Sequence, residues 1–248
     1  MPLARPAAAL VLVALLLPGR ARAFGASSQL TFALIRYDGN YDPRPNGLER
    51  IAWEVEKRTS INVSLQSKII DLTDPDLFQY PLLVLAGDSD FPPFSEAQRE
   101  ALRRHLAFGG LLLIDDASGE PDGPFEQAAR REMAAVLPNA RIVRIPKSHV
   151  LYKSFYLLDG PSGRVATAGD ADGIFLQGRL AVIFSPDDLE GATARDAFGN
   201  WEMDVTPGGD LQREYAYRFA INIVMYALCL DYKDDQVHIP FIMRRRQQ

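Results

Sequence analysis

The chain of 248 residues contains a single cysteine, Cys229. One cysteine excludes any disulfide bond within the chain, so the fold must be held together by its core. Disulfides are common in animal secreted domains, whereas an exported bacterial protein of this size can do without them. The length and the hydrophobic content of 47% are sufficient for one large α/β domain.

The chain also lacks an excess of basic residues. It has 27 lysines and arginines against 32 acidic residues, for a formal net charge of −5. A general nucleic-acid-binding protein needs a concentrated basic face that neutralises phosphates. The charge balance therefore disfavours nucleic acid as a partner.

No hydrophobic run is long enough to cross a bilayer comfortably. The longest at the N-terminus, residues 7–17, is well short of the roughly 20 residues that a spanning helix needs. Arg5 precedes it, and Ala21-Arg22-Ala23 has the small residues of a cleavage site. We predict a signal peptide over residues 1–23, cleaved after Ala23, and export to the bacterial periplasm without a remaining membrane span. An uncleaved anchor or a buried helix is the alternative.

Strand and helix patterns alternate through the rest of the chain. Apolar runs predict strands, and amphipathic stripes that follow capping residues predict helices; the strands are expected at 30–37, 61–65, 82–86 and 111–114. Asn46 with Glu49 and Ser95 with Gln98 have the spacing of capping boxes. Residues 141–145 alternate as an edge strand does.

A β-hairpin is predicted late in the chain. Residues 173–176 and 180–184 are two strand-like runs around Gln177-Gly178-Arg179. A final helix is expected over 211–230, where Asn222 would need a buried hydrogen-bond partner. The pattern predicts a single α/β domain over 24–230 with a mostly parallel, doubly wound sheet, followed by a tail over 231–248.

Several polar residues are expected at the carboxyl ends of the strands, where such sheets bind ligands. The candidates for ligand binding are Arg36, Asp38, Asp88, Asp90, Asp115, Asp116, His149, Asp187 and Asp188. Asp and Ser also favour turns and helix starts, which gives them a purely structural explanation. The functional interpretation is a rim of oxygen ligands for a partner, a sugar or a hard cation.

Ser89 invites comparison with a nucleophile elbow, because Gly87-Asp88-Ser89-Asp90 follows a central strand. A true elbow reads G-x-S-x-G, but Asp90 replaces the last glycine and the next helix is delayed to Ser95. The alternative to simple binding is a metal-assisted hydrolase that uses Asp88, Ser89, Asp115 and His149, with Asp116 nearby. We expect no cofactor; the alternative is a divalent cation bound by these acids.

Five blocks of the sequence, and the tail over 232–246, together resemble one known family. The blocks are Arg36-Tyr37 and residues 85–116, 149–158, 178–189 and 222–227. The family is the exported bacterial domain of unknown function numbered 4159, in the class I glutamine amidotransferase-like superfamily.

This resemblance implies a flavodoxin-like three-layer sandwich and carries no established reaction. It also implies an envelope partner of the kind found with MoxR-type ATPases and von Willebrand factor A-type membrane proteins. Amidotransferases of that superfamily carry a cysteine at the turn occupied here by residues 87–90, and Cys229 lies far along the chain. We therefore expect a non-catalytic module that binds a partner protein or small ligand at the strand-end rim.

Overall fold

The computed structural model describes residues 29–167 and 170–229. Within them the chain forms seven strands and four α-helices. In chain order these are β1 Ala33–Ile35, α1 Gly47–Arg58, β2 Lys68–Ile70, β3 Leu82–Gly87, α2 Glu96–Ala107, β4 Leu111–Asp116, α3 Pro124–Val136, β5 Ile142–Arg144, β6 Asp172–Leu176, β7 Arg179–Ser185 and α4 Gly209–Cys229. Short 3₁₀ helices span Pro75–Gln79 and Val150–Lys153.

All seven strands belong to one sheet, in the order β2-β1-β3-β4-β7-β6-β5. The first five strands in this order are parallel, and β6 is antiparallel to both of its neighbours. The prediction of a mostly parallel sheet with a late hairpin is confirmed.

Helices cover both faces of the sheet. Side chains of α1 and α4 pack on one face, against Leu113 and Ile183, and those of α2 and α3 pack on the other, against Ile114 and Phe184. Residues alternate between these two clusters along β3 and β4, as buried parallel strands require. The result is the predicted flavodoxin-like three-layer sandwich.

Several local predictions are confirmed by the contacts. Ser95 and Gln98 form a capping box at the start of α2. The tight turn of the β6–β7 hairpin lies at Gln177 and Gly178, both with positive φ. The buried Asn222 of α4 accepts backbone N–H bonds from Phe155 and Tyr156 and donates to the Tyr156 carbonyl.

Two local predictions are wrong. Asn46 has a left-handed backbone with φ of 68° and makes no capping bond with its side chain, so the predicted capping box is absent. The second strand lies at Lys68–Ile70 rather than at residues 61–65, where Val63 makes only an isolated bridge to Leu30. Lys68 and Ile69 are exposed on this edge strand, so the apolar pattern at 61–65 is the stronger but misleading signal.

The predicted signal peptide and the predicted tail over 231–248 lie outside the described residues. Among the helices that are described, none has the length and apolar character needed for a membrane crossing.

Two crevices open at the carboxyl edge of the sheet. The chain leaves β1 toward α1 on one face and leaves β3 toward α2 on the other. In the same way, the chain leaves β4 toward α3 on one face, and it leaves β7 toward the other face, where α4 packs. Adjacent strands whose connections diverge in this way leave the gap in which open α/β sheets bind ligands.

Candidate functional site

Side chains at the β1–β3 crevice form a short hydrogen-bonded chain. Asn40 Nδ2 donates to Asp88 Oδ2 over 2.8 Å, and Ser89 Oγ donates to Asp88 Oδ1 over 2.9 Å. All three groups are in exposed or half-exposed positions. Asp88 therefore links the loops that follow β1 and β3.

Asp90 is engaged in organising its own loop. Its Oδ1 accepts the backbone N–H of Phe91 over 2.8 Å and pairs with Arg131 Nη1 over 3.2 Å. Arg131 also donates to the Phe91 carbonyl over 2.6 Å. These bonds give Asp90 a structural role in its loop that requires no bound ligand.

Arg36 and Asp38 follow β1 and are exposed. The backbone N–H of Arg36 extends the pairing with β2 by donating to the Ile70 carbonyl. The charge of Arg36 also lowers the pKa of Asp71, although the bonds from Thr73 contribute more. Arg36 thus faces the β2 edge.

The turn after β3 does not have the backbone of a nucleophile elbow. Elbow nucleophiles sit on strained turns, but Ser89 is not among the described non-glycine residues with positive φ. Gly87 is required by packing, since a Cβ there would lie 2.3 Å from both the Phe125 ring and the Tyr37 hydroxyl. This turn is shaped by the core beneath it.

The β4–β7 crevice contains several deeply buried acids. On the side of α1 and α4, the two oxygens of Asp115 accept the backbone N–H groups of Leu189 and Glu190 over 2.9 and 2.8 Å. Burial raises the pKa of Asp115 to about 7, and the Asp188 carboxylate adds to this shift. Asp115 thus fixes the start of the loop that leaves β7.

Asp188 is held by two guanidinium groups. Arg44 Nη2 lies 2.8 Å from Asp188 Oδ2, and Arg164 Nε donates to the same oxygen. The backbone N–H of Gly191 donates to Oδ1 over 2.9 Å. The residue is fully buried with φ of 53°, so its backbone and its charge are both fixed by these contacts.

Glu190 is a buried acid without a cationic contact of its own. Glu190 is 1% exposed, and its Oε1 has no hydrogen-bond partner among the described residues. Burial raises its pKa well above the usual range, and Asp115, Asp42 and Asp188 push in the same direction. The charge of Arg44 opposes this shift but does not reverse its direction.

Asp187 is also engaged internally. Its Oδ1 accepts both the backbone N–H and the hydroxyl of Thr167, over 2.9 and 2.6 Å. Burial raises its pKa, and the bonds from Thr167 oppose that shift. Asp187 therefore anchors the backbone at Thr167.

The other side of the same crevice is a pocket of about 220 Å³. It lies on the face of α3, since Ile114 and Phe184 of its lining belong to that core cluster. Its principal charged residues are Asp116, Asp122, Glu126, Arg130, Arg144 and Asp172.

Asp116 lies in the wall of this pocket with one oxygen uncommitted. It follows Ile114 by two positions in β4, so its side chain points to the same face. Its Oδ1 accepts the backbone N–H of Ser118 over 2.9 Å, while Oδ2 has no hydrogen-bond partner among the described residues. The residue is 3% exposed, and burial raises its pKa; the hydrogen bonds from Ser118 oppose this shift, and the charges of Glu126 and Asp188 add to it.

His149 lies away from these acids. Its Nδ1 accepts the backbone N–H of Leu151, and its ring packs at 5.5 Å from both Phe175 and Tyr226. Phe175 pairs with Leu180 at the hairpin end of β7, which is the amino end of the parallel strands. Residues after β5 thus turn back over the sheet, and the structure does not bring His149 together with Asp88 or Asp115.

In the part of the chain that the structure describes, no three His, Cys, Asp or Glu side chains are grouped so that they could hold a metal ion. The strand-end acids are spread along the edge or engaged by backbone N–H groups. The geometry offers a divalent cation no ready set of ligands.

The sequence does not reveal the residues that contact the buried acids. Arg44 lies in a predicted loop and Arg164 in a segment without periodicity, and each contacts Asp188 from far along the chain. Glu190 falls in a stretch whose pattern is irregular. Only the Glu126–Arg130 spacing of four residues on a helix could have been found from sequence.

Comparison with known families gives one result. The family described as Domain of unknown function (DUF4159) matches residues 31–228, which includes almost all of the sheet and its helices. None of the curated proteins compared with this sequence matches it significantly. Because one family accounts for most of the chain, the protein belongs to the DUF4159 family.

Proposed function

We propose that the protein is an exported, non-catalytic binding module whose ligand or partner occupies the β4–β7 pocket. The observation that carries the proposal is the free oxygen of Asp116 in the wall of that pocket. A buried carboxylate oxygen is costly to leave without a partner, so a bound group that donates to it would stabilise the protein.

The other buried acids at the strand ends support a binding role rather than catalysis, because their oxygens are already engaged within the fold. Asp115, Asp187 and Asp188 hold backbone N–H groups or arginines. The hydrolase alternative would require an acid, a nucleophile and a base within reach of one another. Ser89 donates to Asp88, and His149 packs at the opposite edge of the sheet, so this alternative has no geometric support.

Export and kinship with the class I glutamine amidotransferases are part of the same proposal. The apolar run of 7–17 with the small residues at 21–23 supports cleavage after Ala23. The strand order β2-β1-β3-β4 and the three layers support the kinship at the level of fold. The absence of cysteine from residues 87–90 argues against glutamine hydrolysis by that family's mechanism.

An envelope protein is the second source of an occupant for the pocket. The family resemblance implies association with MoxR-type ATPases and von Willebrand factor A-type membrane proteins. A partner of this kind would present a side chain to the pocket, whereas a free ligand would enter it alone.

The proposal is tested by blocking the pocket. Thermal unfolding of residues 24–248 is measured with a panel of sugars, amino acids, amines and divalent metal salts, beside native mass spectrometry of the purified protein. We expect at least one compound to raise the midpoint, and Pro121→Trp, at the exposed pocket wall, to abolish the shift.

The matched control is Pro138→Trp, which adds the same side chain at an exposed proline beyond the other end of α3. It should leave the ligand-induced shift intact. A panel without any effect, together with a mass spectrum showing no bound compound, would contradict binding of a free ligand. A shift that survives Pro121→Trp would place binding elsewhere.

A further inference from the structure

We infer that the β4–β7 pocket is selective for an organic cation, an ammonium or guanidinium group that donates hydrogen bonds to Asp116. This inference rests on the proposed function and adds the chemical class of the ligand. The uncommitted Oδ2 of Asp116 and the charge balance of the pocket carry it.

The pocket has more acidic than basic groups. Asp116, Asp122, Glu126, Asp170 and Asp172 contribute carboxylates, against the guanidinium groups of Arg130 and Arg144 alone. A cleft that is rich in one sign of charge and has low-dielectric walls concentrates ions of the opposite sign.

Both arginines are already paired. Arg130 Nη2 lies 2.6 Å from Glu126 Oε1 and 2.6 Å from Asp172 Oδ2. Arg144 makes one longer ion pair, with Asp170 over 3.4 Å, and extends into solvent away from the buried wall. In that wall Arg130 is engaged by two carboxylates, whereas Asp116 Oδ2 has no partner among the described residues.

The start of α3 does not reverse this preference. A helix N-terminus favours an anion, and α3 begins beside the pocket. Glu126 in the first turn already places a carboxylate there, and its Oε2 also accepts the backbone N–H of Asp122, just before the helix, over 3.0 Å. A ligand anion at this end of α3 would be repelled by that carboxylate.

The pocket favours an organic cation over a metal ion. A metal needs several ligand atoms converging on one point, and the described residues contain no such group of three. An ammonium or guanidinium group instead spreads its N–H donors over separated acceptors. A volume of about 220 Å³ is enough for the end of a lysine or arginine side chain or for a small amine.

The selectivity is tested by isothermal titration of residues 24–248 with matched pairs of compounds. Arginine is compared with citrulline, lysine with norleucine, and glucosamine with glucose, all at equal ionic strength. Blocked tripeptides with a central Lys or Gln form a second arm, because they mimic a side chain of a partner protein. We expect the cationic member of a pair to bind at least about tenfold more tightly.

Asp116→Asn should weaken binding of that cation about tenfold, because it removes the charge and keeps an oxygen that can accept from Ser118. Asp122→Asn is the second variant, in case the first misfolds; its residue is exposed with φ of 55°, which asparagine tolerates. It should weaken binding by a smaller factor. Glu100→Gln removes one charge from the exposed face of α2 and should change nothing.

Equal affinity for charged and neutral members, or unchanged cation binding by both pocket variants, would overturn the inference. A neutral sugar that binds and is blocked by Pro121→Trp would overturn the cationic class while supporting the binding function. Binding of the tripeptide but not of free amines would identify the cation as a partner's side chain.

Discussion

Asp115 and Asp116 are adjacent in β4 and both buried, yet they differ in every contact. Asp115 points to the face of α1 and α4, where both oxygens accept backbone N–H groups. Asp116 points to the face of α3, where one oxygen is engaged and the other, buried in a residue that lines a pocket, has no partner among the described residues. Burial of an acid at a strand end therefore does not identify a binding site; the number of uncommitted acceptors does.

The surroundings of the two acids extend this contrast. On the Asp115 side, Asp188 is enclosed by Arg44 and Arg164, and burial raises the pKa of Glu190. On the Asp116 side, Glu126, Arg130 and Asp172 form a partly exposed chain of ion pairs. The first side stabilises the loop after β7, and the second can exchange contacts with a ligand.

The largest effect is expected for Asp188→Ala, which removes the centre of the Asp115 side. Two largely buried arginines would lose their carboxylate, so the free energy of unfolding should fall by about 3–5 kcal/mol. Urea unfolding followed by circular dichroism measures this loss. The control is Glu100→Gln, at an exposed position of α2, which should change the free energy of unfolding by no more than about 0.5 kcal/mol. Similar small losses for both variants would refute the structural role of Asp188.

A moderate effect, dependent on pH, is expected for Glu190→Gln. A folded-state pKa above the unfolded one means that the native state retains a proton which the unfolded state releases. Wild-type stability should therefore fall as the pH rises above the unfolded pKa of Glu190. A glutamine side chain does not titrate, so the variant should lose less stability than wild type as the pH rises to 8.

The check is the free energy of unfolding of both proteins between pH 4 and pH 8, with Glu100→Gln as the control. The raised pKa of Asp115 acts in the same direction, so some slope should persist in the variant up to about pH 7. Identical slopes for wild type and Glu190→Gln would mean that Glu190 is not held protonated by the fold.

The smallest effect is expected for Ser89→Ala in the β1–β3 crevice. The Ser89 hydroxyl donates only to the exposed Asp88, so its loss should change stability by less than about 0.5 kcal/mol. It should also leave every ligand-induced thermal shift unchanged. A lost shift would transfer the binding site from the β4–β7 pocket to the turn after β3.

Sequence patterns were sufficient for the layers of the fold. Continuous apolar runs in β3 and β4 and the amphipathic stripes of α2 and α3 gave the alternation from which a parallel sheet follows. They failed at β2, where exposed Lys68 and Ile69 carry no strand signal and tertiary pairing with β1 decides the register.

The site was less predictable because its chemistry depends on contacts between distant segments. Periodicity places Asp115 and Asp116 on opposite faces, but the bonds from Leu189 and Glu190 come from an irregular loop. His149 follows β5 in sequence, and only the reversal of the chain after Ile145 shows that it leaves the strand ends. Local patterns contain neither piece of information.

Asn222 has a consequence for the order in which the chain can fold. Its side-chain oxygen accepts the backbone N–H groups of Phe155 and Tyr156, and its backbone carbonyl accepts a hydrogen bond from the Ser154 hydroxyl. The segment around residue 155 therefore cannot settle until α4, the last described element, has been synthesised and has docked. This part of the chain therefore takes its final conformation only after the last helix is in place, however early the strands before it have paired.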